Sequence, residues 1–213
     1  MRLNKIKPQS SKLTLAKVRL IARLKGDGSI YVSGRKKTNY FIKYESNNLA
    51  ELKQFANDLK KVYGLRPKFT TYRSGINPRK FLKVVYVRSK LAYEDLQKYG
   101  PFTSREWRVP SCIKEASRRI QAEFLRIFFE DEGTVNVKGK EVRLYSINKV
   151  GLEEIRKMLR NFRIIAKIRG GFGQKRNVYA IIIRGKNNLS LFKKFIGFRS
   201  KRKNKKLEKI IRK

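Results

Sequence analysis

Residues 20–28, LIARLKGDG, close an apolar stretch that begins near Lys12, and residues 125–133, LRIFFEDEG, close another. Each places a carboxylate just before a glycine: Asp27 before Gly28 and Glu132 before Gly133. A helix C-terminus carries partial negative charge, so an exposed acid there costs about 0.3–1 kcal/mol. The chain has 16 acids in 213 residues, and Asp27, Glu130, Asp131 and Glu132 all stand against a helix dipole. One Asp-Gly is ordinary turn chemistry. Two, at matching places in a repeated plan, ask for another reason. If two such helices pack side by side, Asp27 and Glu132 meet, and facing carboxylates repel unless a divalent cation lies between them. Oxygen ligands with open water positions suit Mg2+. Beside nucleic acid, such a cation activates water and stabilises the leaving oxygen of a phosphodiester.

The sequence around the two stretches repeats as well. Leu52, Phe55 and Leu59 correspond to Leu152, Ile155 and Leu159, and Arg88, Lys90 and Leu96 to Arg184, Lys186 and Phe192. Each half reads αββαββα, which makes the fold α+β with two pseudo-symmetric halves. In the first half, helical spacing and turn residues predict a helix over 12–26 capped by Ser11, and strands over 29–34 and 39–45. A helix over 48–63 stops at Gly64; strands over 67–73 and 80–88 flank the turn 74–78, and a short helix covers 90–99. The second half repeats this with helices 113–131, 149–161 and 187–196 and strands 134–138, 141–147, 163–169 and 178–184. The predicted organisation is therefore a first half over 1–99, a linker over 100–112, a second half over 113–199 and a basic tail over 200–213. Gly28 and Gly133 are read as helix-ending glycines, Trp107 as the residue that anchors the linker on the core, and the tail as a solvated basic helix.

Alternation within the strands predicts antiparallel sheets with helices on one face. Ile30 and Val32 oppose Tyr31 and Ser33, Val142 and Leu144 oppose Arg143 and Tyr145, and Ile164, Ala166 and Ile168 oppose Lys167 and Arg169. The open face is basic, aromatic and hydroxyl-rich, with acids nearly missing. An ordinary solvated sheet face is the competing reading. The near absence of acids from that face ranks it below nucleic-acid binding; separately, 55 Lys and Arg against 16 acids give +39, a self-repulsion that a polyanion relieves. Nucleic acid is the natural partner; an anionic membrane surface is the weaker alternative, because the basic residues run the whole length and form no isolated basic amphipathic helix. No apolar run spans a membrane, no export signal follows the basic N-terminus, and the single Cys112 excludes an internal disulfide and fits a reducing cytoplasm. With no histidine, there is no imidazole triad.

The nonapeptides Leu20 to Gly28 and Leu125 to Gly133 resemble the two signature helices of the LAGLIDADG homing endonucleases, of the single-chain, double-motif kind encoded in archaeal introns. The resemblance covers nearly the whole chain. It implies antiparallel, saddle-shaped sheets lying in the DNA major groove and a central two-helix interface. It also implies a monomer that cuts both strands of a long asymmetric target with Mg2+, or with Mn2+ or Ca2+ in the same site. By the same resemblance Asp27 and Glu132 are the catalytic, metal-binding acids, and the backbone carbonyls of Gly26 and Asp131 complete the metal site. Tyr31 and Ser33, then Asn136 and Lys138, point into the groove, in keeping with the alternation above. Arg23 and Arg126 depart from the pattern and are expected to face solvent or phosphate. Lys43 and Lys138 are the candidates for basic residues that assist catalysis.

Arg and Lys read guanine and Asn reads adenine. Further DNA-contact candidates are therefore Arg35, Lys36, Lys37, Lys43, Tyr72, Arg73, Arg143, Tyr145, Lys167, Arg169, Lys175 and Arg176. The alternative function is an RNA-binding intron maturase on the same fold, with intron RNA as partner. A basic structural binder gives no reason for the paired acids.

Overall fold

The computed structural model describes residues 13–36, 38–73 and 81–212. Ser11, Lys37 and the turn 74–78, all named above, lie outside the described residues. The chain forms two compact units that divide after Gly100.

In the first unit, helix α1 (Leu15–Lys25) leads into strands β1 (Gly28–Ser33) and β2 (Asn39–Glu45). Helix α2 (Leu49–Tyr63), strands β3 (Lys68–Arg73) and β4 (Phe81–Arg88) and helix α3 (Lys90–Gln97) follow. The strands form an antiparallel sheet in the order β1-β2-β4-β3. Helix α1 starts later than the apolar pattern suggests because Thr14 is its cap, accepting from the Lys17 amide at 3.2 Å. Asn48 caps α2, and Gly64 ends it in the left-handed conformation at φ 67°. One sheet face is covered: α1 lies against α2 and β1, α2 against β2 and β4, and α3 against β2. Ile42, Tyr44, Val85 and Val87 meet Leu52, Phe55 and Leu59 in the core, with Tyr44 stacked on Phe55 at 5.1 Å.

Helix α1 is buried almost all round, and its buried residues include Lys17, Arg23 and Lys25. Buried charge is tolerated only when paired, and each cation has its partner. Lys17 meets Asp95 at 2.6 Å, Arg19 makes two hydrogen bonds to Asp58 at 2.8 and 2.5 Å, and Lys25 donates to the Tyr99 carbonyl at 2.7 Å. Arg23 does not face solvent or phosphate as expected. Its guanidinium lies over the Tyr44 ring at 4.9 Å, donates to the Tyr44 hydroxyl at 2.5 Å and stands 3.9 Å from Glu51. The ring and the carboxylate replace the water that an exposed arginine would keep.

The second unit carries helices α4 (Ser111–Lys114) and α5 (Arg118–Glu132), strands β5 (Gly133–Asn136) and β6 (Glu141–Ser146), and helix α6 (Lys149–Arg160). Strands β7 (Ala166–Phe172) and β8 (Val178–Arg184) and helices α7 (Lys186–Phe195) and α8 (Lys201–Arg212) complete it. Its antiparallel sheet has the order β5-β6-β8-β7, so the two units share one topology. The helix expected over 113–131 is two helices, and the Gln121 amide donates to the carbonyls of Lys114 and Ala116 beside the break at 2.8 and 2.9 Å. Trp107 is buried against Phe128 at 4.8 Å, and its carbonyl accepts from Asn148 at 2.6 Å. A Cβ on Gly151 would come within 2.5 Å of the Trp107 ring, so this helical glycine makes the seat for the indole. Residues past 200 do form a basic helix, but one with a buried side: Leu207 and Ile210 are in the core. The Glu130 carboxylate accepts from the amides of Arg199 and Ser200 at 2.7 and 3.2 Å, and Lys203 donates to the Glu130 carbonyl. Arg126 likewise turns inward, donating to the Ile196 carbonyl at 2.6 Å and to Glu123 at 2.8 Å.

Candidate nucleic-acid interface and helix-end carboxylates

Helix α5 hands directly to β5, and only Gly26 and Asp27 separate α1 from β1. Asp27 is exposed at the end of α1, and Glu132 is half-buried as the last residue of α5. Gly28 and Gly133 are required here, but not as left-handed helix stops. Neither has a positive φ; Gly133 sits at φ −97°, ψ 151°. The requirement is room. A Cβ on Gly28 would lie 2.8 Å from the Arg23 carbonyl oxygen, and one on Gly133 would lie 2.3 Å from that of Phe129. The strand can therefore leave the last helical turn at once. The turn is held from the other side in the first unit, where the Asp27 carbonyl accepts from the Glu45 amide at 3.4 Å. Of the acids at the end of α5, Glu130 is structural, as the contacts above show.

The uncovered sheet faces are built in rows by the strand register. In the first unit, Tyr31, Phe41 and Arg88 stand side by side. Tyr31 stacks on Phe41 at 5.1 Å and the Arg88 guanidinium lies over the Phe41 ring at 4.8 Å. The next row is Ser29, Lys43, Tyr86 and Lys68. Lys43 donates to the Tyr72 hydroxyl at 2.9 Å and stands 2.6 Å from Glu45, and the Tyr72 hydroxyl donates to Glu45. Burial alone would pull the Lys43 pKa down, yet the bonds to Glu45 and Tyr72 outweigh it and hold the ammonium above the usual lysine value. Lys43 is thus a fixed cation and not a neutral base. Burial and the bond to Glu45 push the Tyr72 hydroxyl up.

In the second unit the row matching Tyr31, Phe41 and Arg88 is Asn136, Glu141 and Arg184. Glu141 is 0 % exposed. It accepts from Arg143, from Arg184 and, at 3.2 Å, from Asn136. Burial favours its protonated form, but the hydrogen bonds from Arg184 and Arg143 win and hold the carboxyl below its usual range. The next rows are Thr134, Arg143, Ile182 and Lys167, then Tyr145, Ala180 and Arg169. Arg143 also donates to the Tyr145 hydroxyl at 3.1 Å.

The structure therefore sets Tyr31, Ser33, Lys43, Tyr72, Asn136, Arg143, Tyr145, Lys167 and Arg169 on the uncovered faces. Arg35 and Lys36 lie exposed in the turn after β1, Lys138 in the turn after β5, and Lys175 and Arg176 in the turn between β7 and β8. Three placements differ from the expectation. Strand β5 ends at Asn136, so Lys138 lies in a turn and not on the strand. Arg73 follows Tyr72 in the strand, so it points to the opposite face, over Phe81 at 5.9 Å. Asn136 has both ends of its amide in use, since its oxygen also accepts from the Gly139 amide at 3.0 Å. Acids are few on these faces but central: Glu45 and Glu141 each organise a cluster. Sequence reading missed them and Arg88 and Arg184 as well, although the arginines had been matched as repeats. Among the described residues, no group of three or more His, Cys, Asp or Glu gathers as a metal cluster.

The two units share one sheet topology, and each carries one acid at the junction of its long first helix and first strand. Residues 119–197 match the model of the LAGLIDADG-like domain. The chain resembles the homing endonuclease I-DmoI, at 18% identity and a TM-score of 0.66 over 85% of this chain and 95% of that one. It also resembles I-WcaI bound to its DNA recognition sequence, at 17% identity and a TM-score of 0.64 over 97% and 94%. The chain thus has the double-motif LAGLIDADG fold of these structures. Among curated proteins, it is 30% identical over 144 residues to a probable translation initiation factor IF-2 of Thermococcus kodakarensis. It is 32% identical over 109 residues to a glutamine–fructose-6-phosphate aminotransferase of Methanocaldococcus jannaschii. The matches take 68% and 50% of this chain but span only 12% and 10% of those relatives.

Proposed function

We propose that this chain is a site-specific endonuclease that binds double-stranded DNA and hydrolyses a phosphodiester in each strand with a divalent cation. The observation that carries this reading is the repetition of one constellation: a carboxylate at the end of each motif helix, followed directly by a strand whose outward residues open a basic, aromatic face. Solved structures of I-DmoI with DNA and Mn, with target DNA and Mg, and with DNA and Ca support a duplex partner and a divalent ion. The relatives carry unrelated names while sharing only a tenth or so of their length with this chain, as expected of a module that inserts into different hosts.

Asp27 and Glu132 would hold Mg2+, with the backbone carbonyls of Gly26 and Asp131. The donor chemistry fits. All ligands are oxygens, a helix C-terminus adds partial negative charge, and Mg2+ is held by one or two carboxylates with water and phosphate completing its shell. That explains acids placed against the dipole: a site unfavourable for an anion is favourable for a cation between anions. The bound ion would supply Lewis acidity and an activated water. Hydrolysis puts the water oxygen on phosphorus and releases the bridging oxygen with a proton. Lys43, bonded to Tyr72 and paired with Glu45, would attract phosphate. The different residues in the two outward faces imply an asymmetric target of about two duplex turns.

The test replaces Asp27 with Asn and Glu132 with Gln. Duplex binding persists and double-strand cutting falls by orders of magnitude. Unchanged cutting by either variant refutes the assignment, and selective binding of intron RNA without cutting returns the maturase alternative.

A further inference from the structure

We infer that Arg184 is a guanine-reading residue and that Glu141 is the positioning residue that aims it; the inference rests on the DNA-binding reading above. Glu141 sits in the uncovered face of the second unit with 0 % exposure, where an unpaired carboxylate would be strongly unfavourable. Its two oxygens take two guanidiniums by the same edge: one accepts from Arg143 Nε and the other from Arg184 Nε. The two arginines are then not equivalent. Arg143 also commits a terminal nitrogen to the Tyr145 hydroxyl and a second to Glu141. Arg184 is held by its Nε edge, and its side chain is 52% exposed. A guanidinium is a rigid fork. Holding its Nε on the neighbouring Glu141 restricts how the fork can turn and leaves its terminal edge for a bidentate contact to guanine O6 and N7. Arg184 also lines a concavity with Lys167, Arg169, Ile182, Ile165 and Asn188, so three cations border one recess.

The first unit gives an independent check on position. Its matching row is Tyr31, Phe41 and Arg88, and there Arg88 lies on an aromatic ring instead of on a carboxylate. The repeat keeps the arginine and changes the brace beneath it. An arginine that merely paid off a buried acid would have no counterpart on a ring.

A pool of random-sequence 30-base-pair duplexes, offered in a Ca2+ buffer to the wild-type chain and to the E141Q and R184K variants, tests this. Wild type enriches a long asymmetric motif. R184K, which keeps the charge but loses the fork, loses guanine preference at one or two positions in one half of that motif by about 5- to 100-fold. E141Q loses preference at those same positions and retains the rest. Unchanged preference in R184K overturns the proposal, and so does an E141Q variant that weakens all positions uniformly. R184K is half-exposed, so the test stands even where E141Q fails to fold. A wild-type chain that enriches no motif refutes instead the DNA-binding reading.

Discussion

Replacing Gly133 with alanine tests the junction between motif helix and strand. The added Cβ would lie 2.3 Å from the Phe129 carbonyl oxygen and 3.1 Å from its carbonyl carbon. Both are backbone atoms, so no side chain can turn aside; the last turn of α5 or the start of β5 has to move. Overpacking of this kind costs about 1–3 kcal/mol and occasionally more, and a backbone clash this close belongs at the top, about 3 kcal/mol. For a unit of this size that lowers Tm by about 10 °C. Cutting falls further than stability alone explains, because Glu132 and Asn136 flank the clash. G28A makes a milder contact, 2.8 Å to the Arg23 carbonyl oxygen, and costs less. G64A is the control: its φ of 67° is strained for alanine, but nothing lies within 4 Å, so it loses about 1 kcal/mol and no cutting at temperatures where the chain stays folded. Thermal unfolding and cleavage of a selected duplex are measured together. A G133A chain within 0.5 kcal/mol of wild type, or one less affected than G28A, refutes the close-approach reasoning.

D58A removes the buried partner of Arg19 (Asp58 side chain 1% exposed) and costs about 3 kcal/mol, read as a lower urea midpoint; a shift under 1 kcal/mol contradicts it. W107A empties the seat over Gly151 and costs about 3–5 kcal/mol while the selected base preference stays the same. Glu141 is held below its ordinary pKa, so its share of stability is present above pH 4.5 and is lost as pH falls through its folded value. The wild type therefore loses more stability than E141Q between pH 5 and pH 3, and parallel profiles count against the network. Lys17 is held above its ordinary pKa: burial opposes the charge, but bonds to Asp95 and Tyr99 outweigh it. Its share is present below pH 10.5 and lost as pH rises through the folded value, so a D95N variant shows a shallower alkaline loss than wild type.

Local patterns carried far in this chain. The apolar spacing of α2 and α6 and the alternation of β1, β6 and β7 depend only on near neighbours. The outward parity of Tyr31, Ser33, Arg143, Tyr145, Lys167 and Arg169 was therefore readable directly. What failed needed partners distant in sequence. Arg23 looked solvent-facing because Tyr44 and Glu51, which take it in, come from β2 and α2. Glu141 drew no notice, because only the β6–β8 register sets it beside Arg184. Gly133 does end its helix, as the sequence suggests, and Gly26 rather than Gly28 caps α1; what no sequence pattern showed is that Gly28 and Gly133 are needed for room and not for a left-handed turn. Gln121 gave no signal that it would bridge a helix break.

The contrast between the ring-braced Arg88 and the acid-braced Arg184 has a use in protein engineering. Each row is complete within its own unit, so moving a row means moving β1, β2 and β4, or β5, β6 and β8, with no second set of residues to carry along. A chimera that duplicates the first unit would bear two stacked arginines and suit a palindrome. One built from the second unit twice would carry two salt-bridged ones. Comparing the two chimeras would separate what the brace contributes from what the reader contributes.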